Sequence, residues 1–289
     1  MKQERLRTLP APWKGAASAT VRALAKAERG AVTTLRRAVR GSVDSAIARL
    51  ALLPANANGD AAIGIIQQTA PRITAAVTAG VEQVRRDGRA AGGQRLAAEW
   101  TLVTKSVDAA LGPQHFGVPP LLRELDAEDR ARAAAAGQAY GAAWALAALF
   151  AVTSSGGGDR TPAQRLDQAT KDLDYRILRT AATENAQAFN DARDDGMGWV
   201  AERYKEARWF PALLKRWDAT LDAKVCPTCR ELDGAITLWG LPFRGGLRPG
   251  YVHPNDRCTP GIVFLPARIR GERIPGRQVD DERPRDAAA

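Results

Sequence analysis

Apolar residues recur every three or four positions through much of the first half of the chain. Val21, Leu24, Val32, Leu35, Val39, Val43, Ile47 and Leu50 fall on one stripe, so the spacing predicts a helix over about 16–53. Pro54 and the N-A-N-G-D run at 56–60 stop it. Ile63, Ile66, Ile73, Val77, Val81 and Val84 predict a second helix over 60–87, kinked or divided at Pro71. Glycine-bearing residues 88–93 read as a break, after which Leu96, Trp100, Val103 and Val107 carry a helix to about 111. Residues 112–120 (G-P-Q-H-F-G-V-P-P) read as a loop and 121–152 as a long helix. Glu124, Asp126, Glu128 and Asp129 crowd the start of that helix, where its dipole favours negative charge.

The pattern then changes. Residues 154–160 (S-S-G-G-G-D-R) have the composition of a linker. Thr161 followed by Pro162 is an N-cap with proline at the first helical position. Helices are predicted to about 172, over 175–195 and over 199–207, with Gly196 and Gly198 as the interruption. After Pro211 the texture is that of short strands, at 213–220, 235–239 and 261–265, with a Gly/Pro-rich loop at 241–251. The expected architecture is mainly α, a helical N-terminal domain joined by a Gly-rich linker to a small α+β C-terminal domain with a Cys/His metal site. The expected boundaries are 1–153 for a basic, alanine-rich helical domain, 154–160 for the linker, 161–267 for the second domain and 268–289 for a charged flexible tail.

Composition supports the helices. Of 289 residues 45% are hydrophobic but only 6% aromatic; much of the apolar content is alanine, which favours helix and argues against a large β-sandwich core. The formal charge of +10 is concentrated at the start, where residues 1–50 hold eleven Lys/Arg against three acids. Arg22, Lys26, Arg29, Arg36 and Arg40 follow the helical period beside the apolar stripe, with Arg37 next to them. Such a row suits a polyanion, DNA or an acidic protein face; the alternative is a solvated helix surface. Residues 133–153 carry no charge, yet their Ala/Gly content predicts a closely packed, buried helix in preference to a membrane span.

The three cysteines lie close together. An odd number with no secretory leader is a poor disulfide framework and points to a reducing compartment, where clustered cysteines more often mean metal. Cys226 and Cys229 form C-P-T-C; His253 and Cys258 form H-x4-C twenty-three residues later. Two intervening residues let both sulfurs face one ion, and three thiolates with an imidazole make a closed tetrahedral Zn2+ shell. A closed shell is structural. The competing readings are a redox C-x-x-C pair, a Cys258–His253 nucleophile and base, unmetallated cysteines, and a zinc finger that lacks a groove-entering helix between its ligand pairs.

These residues resemble a known family. Trp217, Asp222, Cys226, Cys229, Leu232-Asp233-Gly234, His253-Pro254 and Arg257-Cys258 look like the motif of the phage Mu F-like minor head proteins, the phage head morphogenesis domain. Upstream, Thr183-Glu184 and Ala188-Phe189-Asn190 resemble that family's R-T-E…A…N helix. The likeness covers about 161–265. Ala182 replaces the usual Arg before Thr-Glu, and Asp256 stands where many members have the first of two closing cysteines. An oxygen ligand from Asp256 in place of Cys258 or His253 therefore stays open.

The resemblance implies a non-enzymatic minor head protein of a tailed phage or prophage. It implies portal or capsid partners, contact with DNA in some members, and a place in the head interior or portal region after assembly in the host cytoplasm. A membrane partner is not expected. The alternatives are a toxin or enzyme effector on the same domain, with Glu184 as a catalytic acid, or a zinc-containing nucleic-acid-binding protein.

Overall fold

The computed structural model describes residues 11–53, 59–121, 124–154, 160–219, 225–239, 241–254, 256–266 and 279–280. Five long helices come first: α1 (Ala11–Ala51), α2 (Gly59–Leu111), α3 (Ala127–Thr153), α4 (Pro162–Asp172) and α5 (Asp174–Tyr204). Strand β1 (Leu213–Asp218), the short helix α6 (Pro227–Leu232), β2 (Ile236–Leu238), β3 (Thr259–Phe264) and β4 (Val279–Asp280) follow. The chain is thus mainly helical, with a small C-terminal antiparallel sheet that carries the Cys/His cluster.

Two helices are longer than expected. α2 runs without a break through 88–93, and α5 through Gly196 and Gly198. The reason is close approach. A Cβ on Gly92 would lie 2.1 Å from the carbonyl oxygen of Phe189, and one on Gly196 would lie 2.3 Å from Leu96 Cδ2. Gly92 lets α2 meet the backbone of α5, and Gly196 makes room on α5 for the Leu96 side chain, while the alanines and leucines around them keep both helical. The helix expected from 121 begins instead at Ala127, because Asp126 caps it in a capping box with Asp129. Thr161 caps α4 with Pro162 at its first turn, as read from the sequence.

The chain divides into two compact units. One unit comprises 28–87 and 124–185, the other 1–27, 88–123 and 186–289. The Gly-rich run at 155–159, residues 1–10 of the basic arm and most of the tail lie outside the described residues.

The first unit is a bundle with an aliphatic core. Leu35, Val39, Val43 and Leu50 of α1 and Ile66, Ile73, Val77, Val81 and Val84 of α2 are buried with Trp144 and Ala148 of α3 and Leu166 of α4. The expected stripes are the buried ones, with Val32, Ile47 and Ile63 half-buried. Gly137 and Gly141 bring α3 onto α2, where a Cβ would come within 2.0 Å of Thr78 Oγ1 and Thr74 Oγ1. The opposite face of α3 is open: Leu146 is 73% and Phe150 74% exposed. By length and composition α3 could cross a membrane, although 33% of its most apolar window is buried. One ion network is buried in this core. Arg85 pairs with Asp129 at 2.5 Å and with Glu184 at 2.6 Å. Burial alone would lower the Arg85 pKa, but the two carboxylates outweigh it and raise the value.

The second unit holds the sheet, in the order β3-β1-β2-β4. β1 pairs antiparallel with β2 (Lys215 opposite Thr237) and with β3 (Lys215 opposite Ile262). β4 lies in the stretch expected as tail, and its two residues pair parallel with Ile236 and Thr237. Beneath the sheet, Trp100, Val103, Val107, Met197, Val200 and Trp209 meet Leu213, Ile236, Ile262 and Phe264. Glu99 and Arg193 tie the helices to β3. Arg193 donates to Glu99 at 2.8 Å and to the Pro260 carbonyl at 3.0 Å, and Glu99 accepts from the backbone NH of Ile262 at 3.3 Å. β3 follows directly on Cys258, so this network fixes one edge of the cysteine cluster.

Candidate metal centre

The cluster is built on three short pieces of backbone. Cys226 is the N-cap of α6, and its sulfur accepts the backbone NH of Cys229 at 3.2 Å. Pro227 occupies the first turn, where its missing NH is not needed. This puts the second cysteine one turn along, with its sulfur turned to the same side. α6 ends at Asp233, and Gly234 takes a positive φ of 77° to turn the chain back. There the Gly234 NH donates to the Trp217 carbonyl and the Ala219 NH to Asp233 Oδ1, fastening the cysteine hairpin to the end of β1.

The second half comes from the loop at 248–258. Asp256 organises it. Oδ2 accepts the backbone NH groups of Gly250 (2.8 Å) and Val252 (3.2 Å), while Oδ1 accepts that of Cys258 (2.9 Å). Asn190 of α5 closes the loop from the other side, donating through Nδ2 to the carbonyls of Cys258 (2.8 Å) and Pro249 (3.1 Å). Gly250 has φ +86°, and a Cβ there would sit 2.4 Å from Asn190 Nδ2, so both backbone conformation and space require glycine.

The donor atoms of Cys226, Cys229 and His253 lie within 4.8 Å of one another, as do those of Cys229, Asp256 and Cys258. Cys229 belongs to both sets. Its Sγ is 3.8 Å from His253 Nε2 and 3.7 Å from Asp256 Oδ1. A thiolate and an imidazole on one tetrahedral Zn2+ would stand about 3.6 Å apart. His253 Nδ1 lies 2.8 Å from the Pro254 carbonyl. A carbonyl can only accept, so Nδ1 carries the proton and Nε2 presents its lone pair to the cysteines, the tautomer a metal needs. Cys229, Asp256 and Cys258 are buried, whereas Cys226 and His253 are half-buried. Trp217 and Phe243 wall the site, their ring centroids 5.1 Å apart and nearly perpendicular.

The crowding shows in the acidities. A hydrogen bond from Cys258 is the largest cause bringing the Cys229 thiol down to about 7. Sharing that bond, with burial and Asp256 beside it, pushes the Cys258 thiol up. Burial raises the Cys226 thiol, and the bond to Pro254 raises His253. A metal ion on these donors would take the place of their protons. Cys226, Cys229, His253 and Cys258 therefore form a cluster that could hold a metal ion.

Every described residue of the resemblance lies at or near this corner or on α5. Trp217 and Leu232 belong to its small core, Asp233 and Gly234 make the turn, and Asn190 clamps the loop. Asp222 lies outside the described residues. Glu184 is elsewhere, bound to Arg85 in the helical unit. Sequence reasoning missed the loop-building role of Asp256, which read as a possible ligand, and the clamping role of Asn190. The Gly250–Asp256 spacing was the available signal for the first.

The cations of α1 divide. Arg22, Lys26, Arg29 and Arg37 are exposed without an acid partner among the described residues. Arg36 pairs with Asp174, and Arg40 with Asp44 at 2.8 Å and Asp167 at 3.3 Å. No family model, curated protein or solved structure matches the chain.

Proposed function

We propose that this is a non-enzymatic structural protein of a tailed-phage or prophage head, a minor head or head-morphogenesis protein, whose C-terminal corner is held by one structural Zn2+ on Cys226, Cys229, His253 and Cys258. The observation that carries the reading is convergence. Trp217, Leu232-Asp233-Gly234, Asn190, His253 and Cys258, residues that carry the likeness to the Mu F-like motif, meet around one cluster, whereas Glu184 lies elsewhere. Zn2+ suits three thiolates and an imidazole, and four protein ligands leave no position for substrate or water, so the ion stabilises loops and activates nothing. Asp256 accepts three backbone NH groups, which favours Cys258 as the fourth ligand and Asp256 as the carboxylate that aims it.

The partners proposed are portal or capsid proteins. Contact with DNA is a second reading, favoured by the exposed cations Arg22, Lys26, Arg29 and Arg37, which have no acid partner among the described residues. The engagement of Glu184 by Arg85 weighs against Glu184 as a catalytic acid. The test is co-expression with the portal and major capsid proteins of the same genome, followed by sedimentation of the proheads. The chain should travel with the proheads in a few copies and be lost from them when the portal is omitted. A chain that stays at the top of the gradient in both cases contradicts the proposal.

A further inference from the structure

Two cavities on the surface of the helical unit of 28–87 and 124–185 differ in the kind of charge they carry. The larger, about 650 Å³, is lined by Arg36, Arg37, Arg40 and Lys171. It looks basic, but Arg36 is bound to Asp174, Arg40 to Asp44 and Asp167, and Lys171 to Asp167. Its cations are mostly neutralised from within.

The smaller cavity, about 340 Å³, lies between α3 and α5 and is lined by Tyr140, Tyr175, Arg176, Arg179 and Thr180. Arg176 and Arg179 stand three residues apart on α5 and so point to one side. Neither has an acid partner among the described residues. The adjacent acid, Asp174, has both oxygens engaged by Arg36. Tyr140 is 4% exposed, and its hydroxyl has no hydrogen-bond partner among the described residues. Burial and then the nearby Asp174 push this phenol up to about 12, so it keeps its proton and is a donor at neutral pH. Thr180 adds another hydroxyl, and the Tyr175 ring stands 57% exposed at the rim, 5.9 Å from the Arg176 guanidinium carbon.

Two planar guanidinium forks and a hydroxyl, with the solvent-inaccessible Tyr140 phenol beside them, make a donor-rich site with no free carboxylate among the described residues. The ligand that satisfies it has several acceptor oxygens on one centre and carries negative charge. We propose that the pocket formed by Tyr140, Arg176, Arg179 and Thr180 binds a phosphate group, either free or carried by a nucleotide or nucleic-acid strand. The exposed Tyr175 ring offers a stacking face for a base beside it.

The experiment uses the full chain at constant ionic strength, titrated calorimetrically with inorganic phosphate, thymidine 5′-monophosphate and a short single-stranded oligothymidylate. At least one should bind, and R176Q and R179Q should each weaken that binding about tenfold. Y140F should weaken it severalfold while raising the melting temperature of the ligand-free protein, because it removes a buried hydroxyl that lacks a partner. Binding of inorganic phosphate identifies a free-phosphate site; tighter binding of the monophosphate or the strand identifies the carried form. The proposal fails if none of the three binds, if the arginine variants bind as the wild type does, or if Y140F leaves binding unchanged. Metal content and far-UV circular dichroism of the variants should equal those of the wild type, which separates this result from any failure of the zinc reading.

Discussion

The helical unit and the Cys/His corner are stabilised by different means. The bundle of 28–87 and 124–185 has a continuous aliphatic core drawn from α1 to α4, with Ile177 and Ala181 of α5. Among the described residues the corner's hydrophobic cluster has six buried members, Trp217, Ala219, Cys229, Leu232, Phe243 and Cys258, too few to hold two loops by burial alone. Its order rests on directional bonds: Asp256 to three backbone NH groups, Asn190 to two carbonyls, and a proposed metal on four side chains. A region held by burial loses stability in small steps as methylenes are removed. One held by a few directional bonds should fail at once when a shared atom is lost.

That difference sets the order of expected effects. The largest belongs to Cys229, whose sulfur is common to both donor sets. Cys229→Ser should abolish metal binding, which contributes about 10–16 kcal/mol in small zinc domains. Proteolysis should then cut within 225–258 many times faster, while the helical circular dichroism signal stays near its wild-type value. Equal loss of the helical signal would mean that the two regions do not behave independently.

Next is the ion network of the bundle. Arg85→Leu removes the cation shared by Glu184 and the buried Asp129, and should cost about 3–5 kcal/mol in chemical denaturation. Replacing all three with apolar residues should restore much of it. A loss that persists in the triple variant would show that the network contributes net stability of its own.

A pH effect comes from Glu99. Burial would raise its pKa, but the Arg193 charge and the hydrogen bonds from Arg193 and Thr20 outweigh burial and hold it below the usual carboxylate range. The folded-state value is thus below the unfolded one. The contribution is present above the unfolded pKa and lost as pH falls through the folded one. Thermal melts from pH 7 downward should show an acid loss of stability in the wild type that is shallower in E99Q. The smallest effect is that of the α3 cap, where Asp126→Ala should cost about 1 kcal/mol.

Much of the fold was legible from the chain. The stripes Leu35–Val39–Val43 and Ile73–Val77–Val81 are the buried faces of their helices, because a 3.6-residue period leaves few alternatives. Strands expected at 213–220, 235–239 and 261–265 occur as Leu213–Asp218, Ile236–Leu238 and Thr259–Phe264. Glycine was misread. At Gly92 and Gly196 it serves close packing against Phe189 and Leu96, which a sequence window cannot distinguish from a break because the neighbour lies about a hundred residues away. The Ser/Gly run likewise signals a pliable chain without saying which segments pack together, and 28–87 joins 124–185 across it. At the candidate metal centre the Cys/His spacing picked out residues that come together. The part Asp256 plays in building the loop depends on the positions of three NH groups that no spacing reveals.

The Zn2+ proposed at the corner is open to direct assay. The most direct measurement is metal content per chain by native mass spectrometry of protein purified without chelator, alongside Cys229→Ser. The account predicts about one Zn2+ per wild-type chain, released with loss of order at 225–258 on chelation, and none in the variant. Metal-free wild-type protein with an ordered, protease-resistant 225–258 would contradict it.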